Sequence, residues 1–128
     1  RLLMLMRTKV GRIWQVESFD GGRTWVNLRS TKLRNPNSGI DMVRLADGRL
    51  WLAYNDTDLG REPMQWELRY PLCLAESVDG GASWRNILLI EEGPGEYSYP
   101  AIVTDSSGTV HIAYTALRKE IRHLVVEP

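Results

Sequence analysis

The sequence predicts an all-β fold, a partial β-propeller of four-stranded antiparallel blades. Three observations carry this. Ser18-Phe-Asp-Gly-Gly-Arg-Thr-Trp25 and Ser77-Val-Asp-Gly-Gly-Ala-Ser-Trp84 share the pattern S-x-D-G-G-x-[ST]-W. Met42–Tyr54 matches Ile102–Tyr114, with Gly48 over Gly108 and Ala53-Tyr54 over Ala113-Tyr114. Both pairs recur at a period of about 60 residues, and self-similarity at a fixed period marks a repeat architecture. Finally, no long stretch shows a helical apolar period, and Gly and Pro are dense throughout.

The elements follow in chain order. Arg1–Thr8 is an apolar run ending in charge, and reads as the second strand of a first repeat. The first S-x-D-G-G turn follows it. One full repeat then has strands at about Ser38–Leu45, Arg49–Asp56, Leu72–Val78 and Trp84–Ile90, joined up and down. Asp47-Gly48 and Ser107-Gly108 are hairpin turns, because Gly supplies the positive φ such turns need. Thr109–Thr115 and Ile121–Val126 are β-branched and aliphatic strands of a last repeat. The expectation is one incomplete domain over 1–128, with blade remnants at about 1–30, 38–90 and 98–126 holding three, four and three strands. A sandwich of about ten strands is the alternative. Truncated repeats leave unpaired strand edges, which predicts a homo-oligomer through strand exchange.

Composition excludes several classes. Lys+Arg and Asp+Glu both total 16, so the formal net charge is zero. No nucleic-acid partner is expected, since phosphate binding needs clustered positive charge. No membrane partner is expected either: the longest apolar stretch, Leu2–Met6, is far short of the roughly 20 residues of a membrane helix. The single cysteine, Cys73, permits neither a disulfide framework nor a cysteine zinc site. No cofactor and no metal are expected. Five Trp and five Tyr stand against one Phe. Trp14, Trp51 and Trp66 lie outside the repeated turns, and such rings stack on sugar faces.

In each repeated turn an Asp side chain can accept hydrogen bonds from the backbone of its own turn. Asp20 and Asp79 are therefore expected to hold hairpins, with Ser18, Ser77, Gly22 and Gly81 completing the turns. Trp25 and Trp84 are expected to be packing anchors. One carboxylate per turn is too few hard ligands for calcium.

These turns resemble the Asp box, or bacterial neuraminidase repeat, of the sialidase superfamily. Asn35–Asp41, Gly93-Pro-Gly-Glu-Tyr-Ser-Tyr-Pro-Ala101 and Ile121–Pro128 are similar to the C-terminal part of bacterial neuraminidases with this box. The resemblance covers nearly the whole chain and implies a six-bladed ring of which this is about half. Roughly 360 residues would be needed for six repeats. It also implies an acidic sugar as ligand, its carboxylate bound by arginines whose planar forks pair bidentately with carboxylate oxygens. A tyrosine nucleophile is implied as well, an exception among glycosidases. A phenol needs nearby positive charge or a base for that role.

Carried over by position, Tyr97 resembles the nucleophilic tyrosine. Arg69, eight residues before Ser77, resembles the third arginine of the carboxylate clamp, and Arg7 resembles the second. Arg7 aligns with Asn55 and Thr115 at one end of the second strands, so Asn55 is expected to line the same pocket. Asn37, aligned with Tyr97, and Asp41 are expected there too, with turn capping an equal reading for Asp41. Arg61 is a runner-up to Arg69. Strand alternation is expected to point Glu96 away from Tyr97. His111 and His123 read as structural. The family's first arginine, acid/base aspartate and assisting glutamate precede the matching region, so the expected reading is a fragment of an exo-glycosidase, inactive alone. A non-catalytic carbohydrate-binding module and a purely structural scaffold are the alternatives. The resemblance implies a bacterial source, and cytoplasmic and secreted locations fit alike.

Overall fold

A computed structural model describes residues 1–58 and 69–128. Its ten strands are β1 (Leu2–Met6), β2 (Arg12–Ser18), β3 (Val26–Arg34), β4 (Asp41–Arg44), β5 (Leu50–Asn55), β6 (Leu72–Ser77), β7 (Arg85–Glu91), β8 (Tyr97–Thr104), β9 (Val110–Ala116) and β10 (Glu120–Val126). They form three antiparallel sheets in the orders β1-β2-β3, β4-β5-β6-β7 and β10-β9-β8. The expected distribution of three, four and three strands holds, and each sheet is a blade of a partial β-propeller.

The sheets stack face to face because their central strands are apolar on both sides, as in any strand covered twice. Leu50–Asn55 and Leu72–Ser77 are buried along their whole lengths. One face of the second sheet, with Trp51, Ala53, Leu72 and Leu74, packs on Ile102, Val110, Ile112 and Tyr114 of the third. Its other face, with Leu52, Tyr54, Cys73 and Ala75, packs on Ile13 and Leu33 of the first. Strands β4 and β8 lie side by side where the second and third sheets meet. Asp41 joins them: its Oδ2 accepts from the Ile102 amide at 2.9 Å and its Oδ1 from Met42 at 3.0 Å.

The two S-x-D-G-G turns are superimposable in their bonding. Ser18 Oγ donates to Asp20 at 2.9 Å and accepts from the Gly22 amide at 2.8 Å. Asp20 also accepts from the Thr24 amide at 2.9 Å and the Thr24 hydroxyl at 2.6 Å. Ser77, Asp79, Gly81 and Ser83 repeat this set at 2.8, 2.8, 2.9 and 2.5 Å. Gly22 and Gly81 have φ of 89° and 91°, a region costly for residues with a Cβ. The aspartates thus hold hairpins as expected.

The tryptophans differ. Trp84 is half-buried against the cluster between the first and second sheets. Trp25, expected as a packing anchor, is 38% exposed and lies beside Gly22.

A feature outside the box motif accompanies it. The residue before each box serine is a buried glutamate, Glu17 or Glu76. Glu76 accepts from Arg85 at 2.7 Å, Trp51 Nε1 at 3.0 Å and Arg49 at 2.9 Å. Glu17 accepts from Asn27 at 2.9 Å and Arg1 at 2.7 Å, with Arg29 at 3.3 Å. These bonds hold each carboxyl at about 2, Glu76 chiefly through Arg85 and Glu17 chiefly through Asn27. Asp20 and Asp79 are likewise lowered to about 2, by Thr24 and Ser83 respectively.

The pH consequence has a definite sign. A carboxyl whose folded value lies below its unfolded value of about 4 stabilises the fold above that pH, and loses the contribution as pH falls toward 2. Thermal melts followed by circular dichroism are therefore expected to drop steeply in midpoint between about pH 4 and 2. The drop should shrink in Asp79→Asn. An unchanged midpoint across that window would remove these turns as acid-sensitive elements.

Candidate functional site

The three sheets converge at the end where β1 and β5 finish and β8 begins, and the polar residues there divide into two groups. The first is structural. Asn35, Ser38 and Asn55 are fully buried. Asn35 Oδ1 accepts from the Ser38 amide at 3.0 Å, and Ser38 Oγ donates to Asn55 Oδ1 at 2.7 Å. Asn55 Nδ2 donates to the carbonyl of Tyr97 at 2.9 Å and of Pro71 at 3.3 Å. Buried backbone groups need such partners. Asn55 therefore ties strand ends together rather than lining an open pocket, and Asp41 is committed in the same way. Asn37 sits in the turn closed by Asn35 and Ser38, with φ of 59°, a conformation that Asn tolerates better than most residues.

The second group is charged and aromatic. Tyr97 is 8% exposed, and its ring belongs to the core between the second and third sheets. Tyr99 is 61% exposed and has φ of 52°. The cause is a β-bulge. Pro100 has no N–H for the ladder, and the β8–β9 register slips between Ser98↔Thr115 and Ala101↔Ala113. Bulges re-aim side chains, and here the exposed tyrosine is Tyr99. Gly39 packs beside it: a Cβ there would lie 3.4 Å from the Tyr99 Cα and ring.

Arg69 lies over this ring, with its guanidinium carbon 5.2 Å from the centroid. It is held from behind by Glu96, which is 6% exposed. Glu96 Oε1 accepts from Arg69 at 3.3 Å, Oε2 accepts from Arg118 at 2.5 Å, and Ser98 Oγ is 3.5 Å away. The backbone repeats the link, with Tyr97 N donating to the Arg69 carbonyl at 2.9 Å and Leu117 N to the Glu96 carbonyl at 2.7 Å. Glu96 is the residue that fixes Arg69.

Arg7 is exposed at the end of β1 and makes no hydrogen bond or ion pair among the described residues. Its charge reaches Tyr99 nonetheless. The phenol is lowered from its ordinary value first by a hydrogen bond with Arg69, then by the charges of Arg69 and Arg7, against partial desolvation and Glu96. Arg69 of the second sheet thus lies over Tyr99 of the third, and the charge of Arg7, at the end of β1, reaches the same phenol.

A family model described as "BNR repeat-like domain" matches residues 1–112. The chain belongs to the BNR repeat-like family. A search of curated proteins gave no match.

The remaining candidates are placed as follows. Trp51, offered for sugar stacking, is buried in the BNR repeat-like core and donates to Glu76. Arg61 and Trp66 lie outside the described residues. His111 Nδ1 lies 2.9 Å from His123 Nε2, with the rings stacked, and His111 Nε2 lies 3.2 Å from Asp105. Among the described residues no three His, Cys, Asp or Glu side chains are grouped to hold a metal. Sequence reasoning missed Tyr99 and Glu96. Pro100 was the available signal for the first, since a proline inside a strand marks a bulge or an edge.

Tyrosine ionisation separates these environments. Burial raises Tyr54, and burial with a bond to Glu91 pushes Tyr114 up to about 12. In a spectrophotometric titration the lowest-titrating phenol is expected to disappear in Tyr99→Phe and to shift upward in Arg69→Leu. A titration unchanged by Tyr99→Phe would place the cationic cluster elsewhere.

Proposed function

We propose that this BNR repeat-like chain binds an acidic sugar, a sialic acid or a uronate, through its carboxylate at the Arg7–Arg69–Tyr99 cluster. The observation that carries this is the Arg69 guanidinium, fixed by Glu96, 5.2 Å from the ring centroid of the exposed Tyr99. Arg69 is pre-oriented by a buried carboxylate and keeps little freedom to lose on binding, which favours affinity. Arg7, with no anionic partner among the described residues, supplies charge that a ligand carboxylate can neutralise. Tyr99 presents a ring face and a phenol to the sugar.

The chemistry of this cluster is that of the sialidase-type tyrosine site, with Tyr99 rather than Tyr97 as the candidate nucleophile. A phenol lowered by adjacent positive charge forms its anion more readily, which is the activation such a nucleophile requires. Hydrolysis also needs a group that protonates the leaving oxygen. Glu96, the carboxylate bonded to Arg69, is committed to Arg69 and Arg118. The reading for this chain is accordingly carboxylate-directed glycan binding without turnover.

Isothermal titration with N-acetylneuraminic acid methyl glycoside and with glucuronate tests it, with galactose as neutral control. Arg69→Ala is expected to weaken binding of the acidic sugar by about 10-fold or more, the scale of a lost charge-assisted hydrogen bond. Galactose should not bind detectably. Equal affinity of wild type and Arg69→Ala, or equal binding of galactose, would contradict the reading.

A further inference from the structure

The β9–β10 turn runs against the local preference of its residues. Lys119 N donates to the Ala116 carbonyl at 3.0 Å, and the two residues between, Leu117 and Arg118, have φ of 55° and 56°. Turns with two positive φ values normally take Asn-Gly, because a Cβ makes the left-handed region costly. The contacts that the turn makes offset this cost. Leu117 N donates to the Glu96 carbonyl at 2.7 Å, and Leu117 packs on Gly95, where a Cβ would lie 2.6 Å from Leu117 Cδ2. Arg118 Nε donates to Glu96 Oε2 at 2.5 Å. Asn37 and Tyr99, at the same end of the sheets, also have positive φ. Strained backbone held in place by its surroundings collects at functional sites.

Glu96 is shared unequally between two arginines. Its Oε2 is 2.5 Å from Arg118, whereas its Oε1 is 3.3 Å from Arg69. Arg69 thus keeps a long bond to the carboxylate while its guanidinium carbon stands 5.2 Å from the Tyr99 centroid. Glu96 is 6% exposed, and its charge opposes those of Arg69 and Arg7 at the Tyr99 phenol. A charge so poorly hydrated is weakly screened. Left to Arg69 alone, the carboxylate would draw that guanidinium in and cancel it. Arg118 supplies the second opposing charge.

We propose that Arg118 is a positioning residue of the carboxylate site: by occupying Glu96, it leaves Arg69 over Tyr99 with its charge directed at the ligand. Arg118 acts through Glu96 and has no need to touch the sugar. The proposal rests on the reading of the Arg69–Tyr99 cluster as a carboxylate site, but the effect on Tyr99 exists without ligand.

The test uses Arg118→Gln, which keeps a hydrogen-bond donor for Glu96 and removes the charge, and Arg118→Lys, which keeps the charge. Two readouts are followed: the spectrophotometric titration of Tyr99 without ligand, and isothermal titration with N-acetylneuraminic acid methyl glycoside. Arg118→Gln is expected to move the Tyr99 phenol upward and to weaken sugar binding by about 5-fold, the scale of one charge pair. Arg118→Lys is expected to restore both toward the wild type. In a Glu96→Gln background, Arg118→Gln should change neither readout further, because the carboxylate to be opposed is gone. A Tyr99 titration unmoved by Arg118→Gln, a lysine variant that behaves as the glutamine one, or an equal loss in the Glu96→Gln background would each overturn the proposal. A wild type that binds no acidic sugar would instead refute the carboxylate reading, and the Tyr99 titration would still decide the role of Arg118.

Discussion

The candidate site depends on one buried carboxylate. Glu96 lies at the entry to β8 and accepts from Arg69 of the second sheet and Arg118 of the β9–β10 turn. A carboxylate this buried is tolerable only when both oxygens are paired, and removing a partner leaves an uncompensated charge. The pair also locks position. Arg69 has a side chain 14% exposed, held on one side by Glu96 and bounded on the other by the Tyr99 ring. The cation is therefore presented at a fixed place rather than sampled by a flexible chain.

The same device recurs at the far ends of the sheets. Glu17 and Glu76 are buried carboxylates, each bonded by two arginines and a neutral donor. Each precedes a turn whose aspartate satisfies its own backbone. The blades are thus held by apolar packing at mid-height and by charge-assisted hydrogen bonds at their ends. The chain carries equal numbers of acidic and basic residues, 16 of each. Most are paired internally, and Arg7 is the conspicuous exposed cation near the site.

The strand order, the hairpins and the role of Asp20 and Asp79 were legible in the sequence, because period and turn chemistry are local. The site was legible only in part. Arg7 and Arg69 were found by their position relative to the boxes. Tyr97 was carried over from the family resemblance alone, and the one-residue register slip beside Pro100, which turns Tyr99 outward, is not visible in a motif. Asn55 was read as pocket-lining, and Asp41 as either pocket-lining or turn-capping. Asn55 is fully buried and partners backbone carbonyls, while the half-buried Asp41 accepts from two backbone amides.

The central claim is that this end of the blades recognises a carboxylate. The most direct measurement compares one sugar with and without that charge: N-acetylneuraminic acid methyl glycoside against its methyl ester, titrated at low and moderate salt. The account predicts that the acid binds about 10-fold or more tightly than the ester, with the difference narrowing as salt screens the exposed Arg7. Equal affinity for acid and ester at both salt concentrations would contradict it.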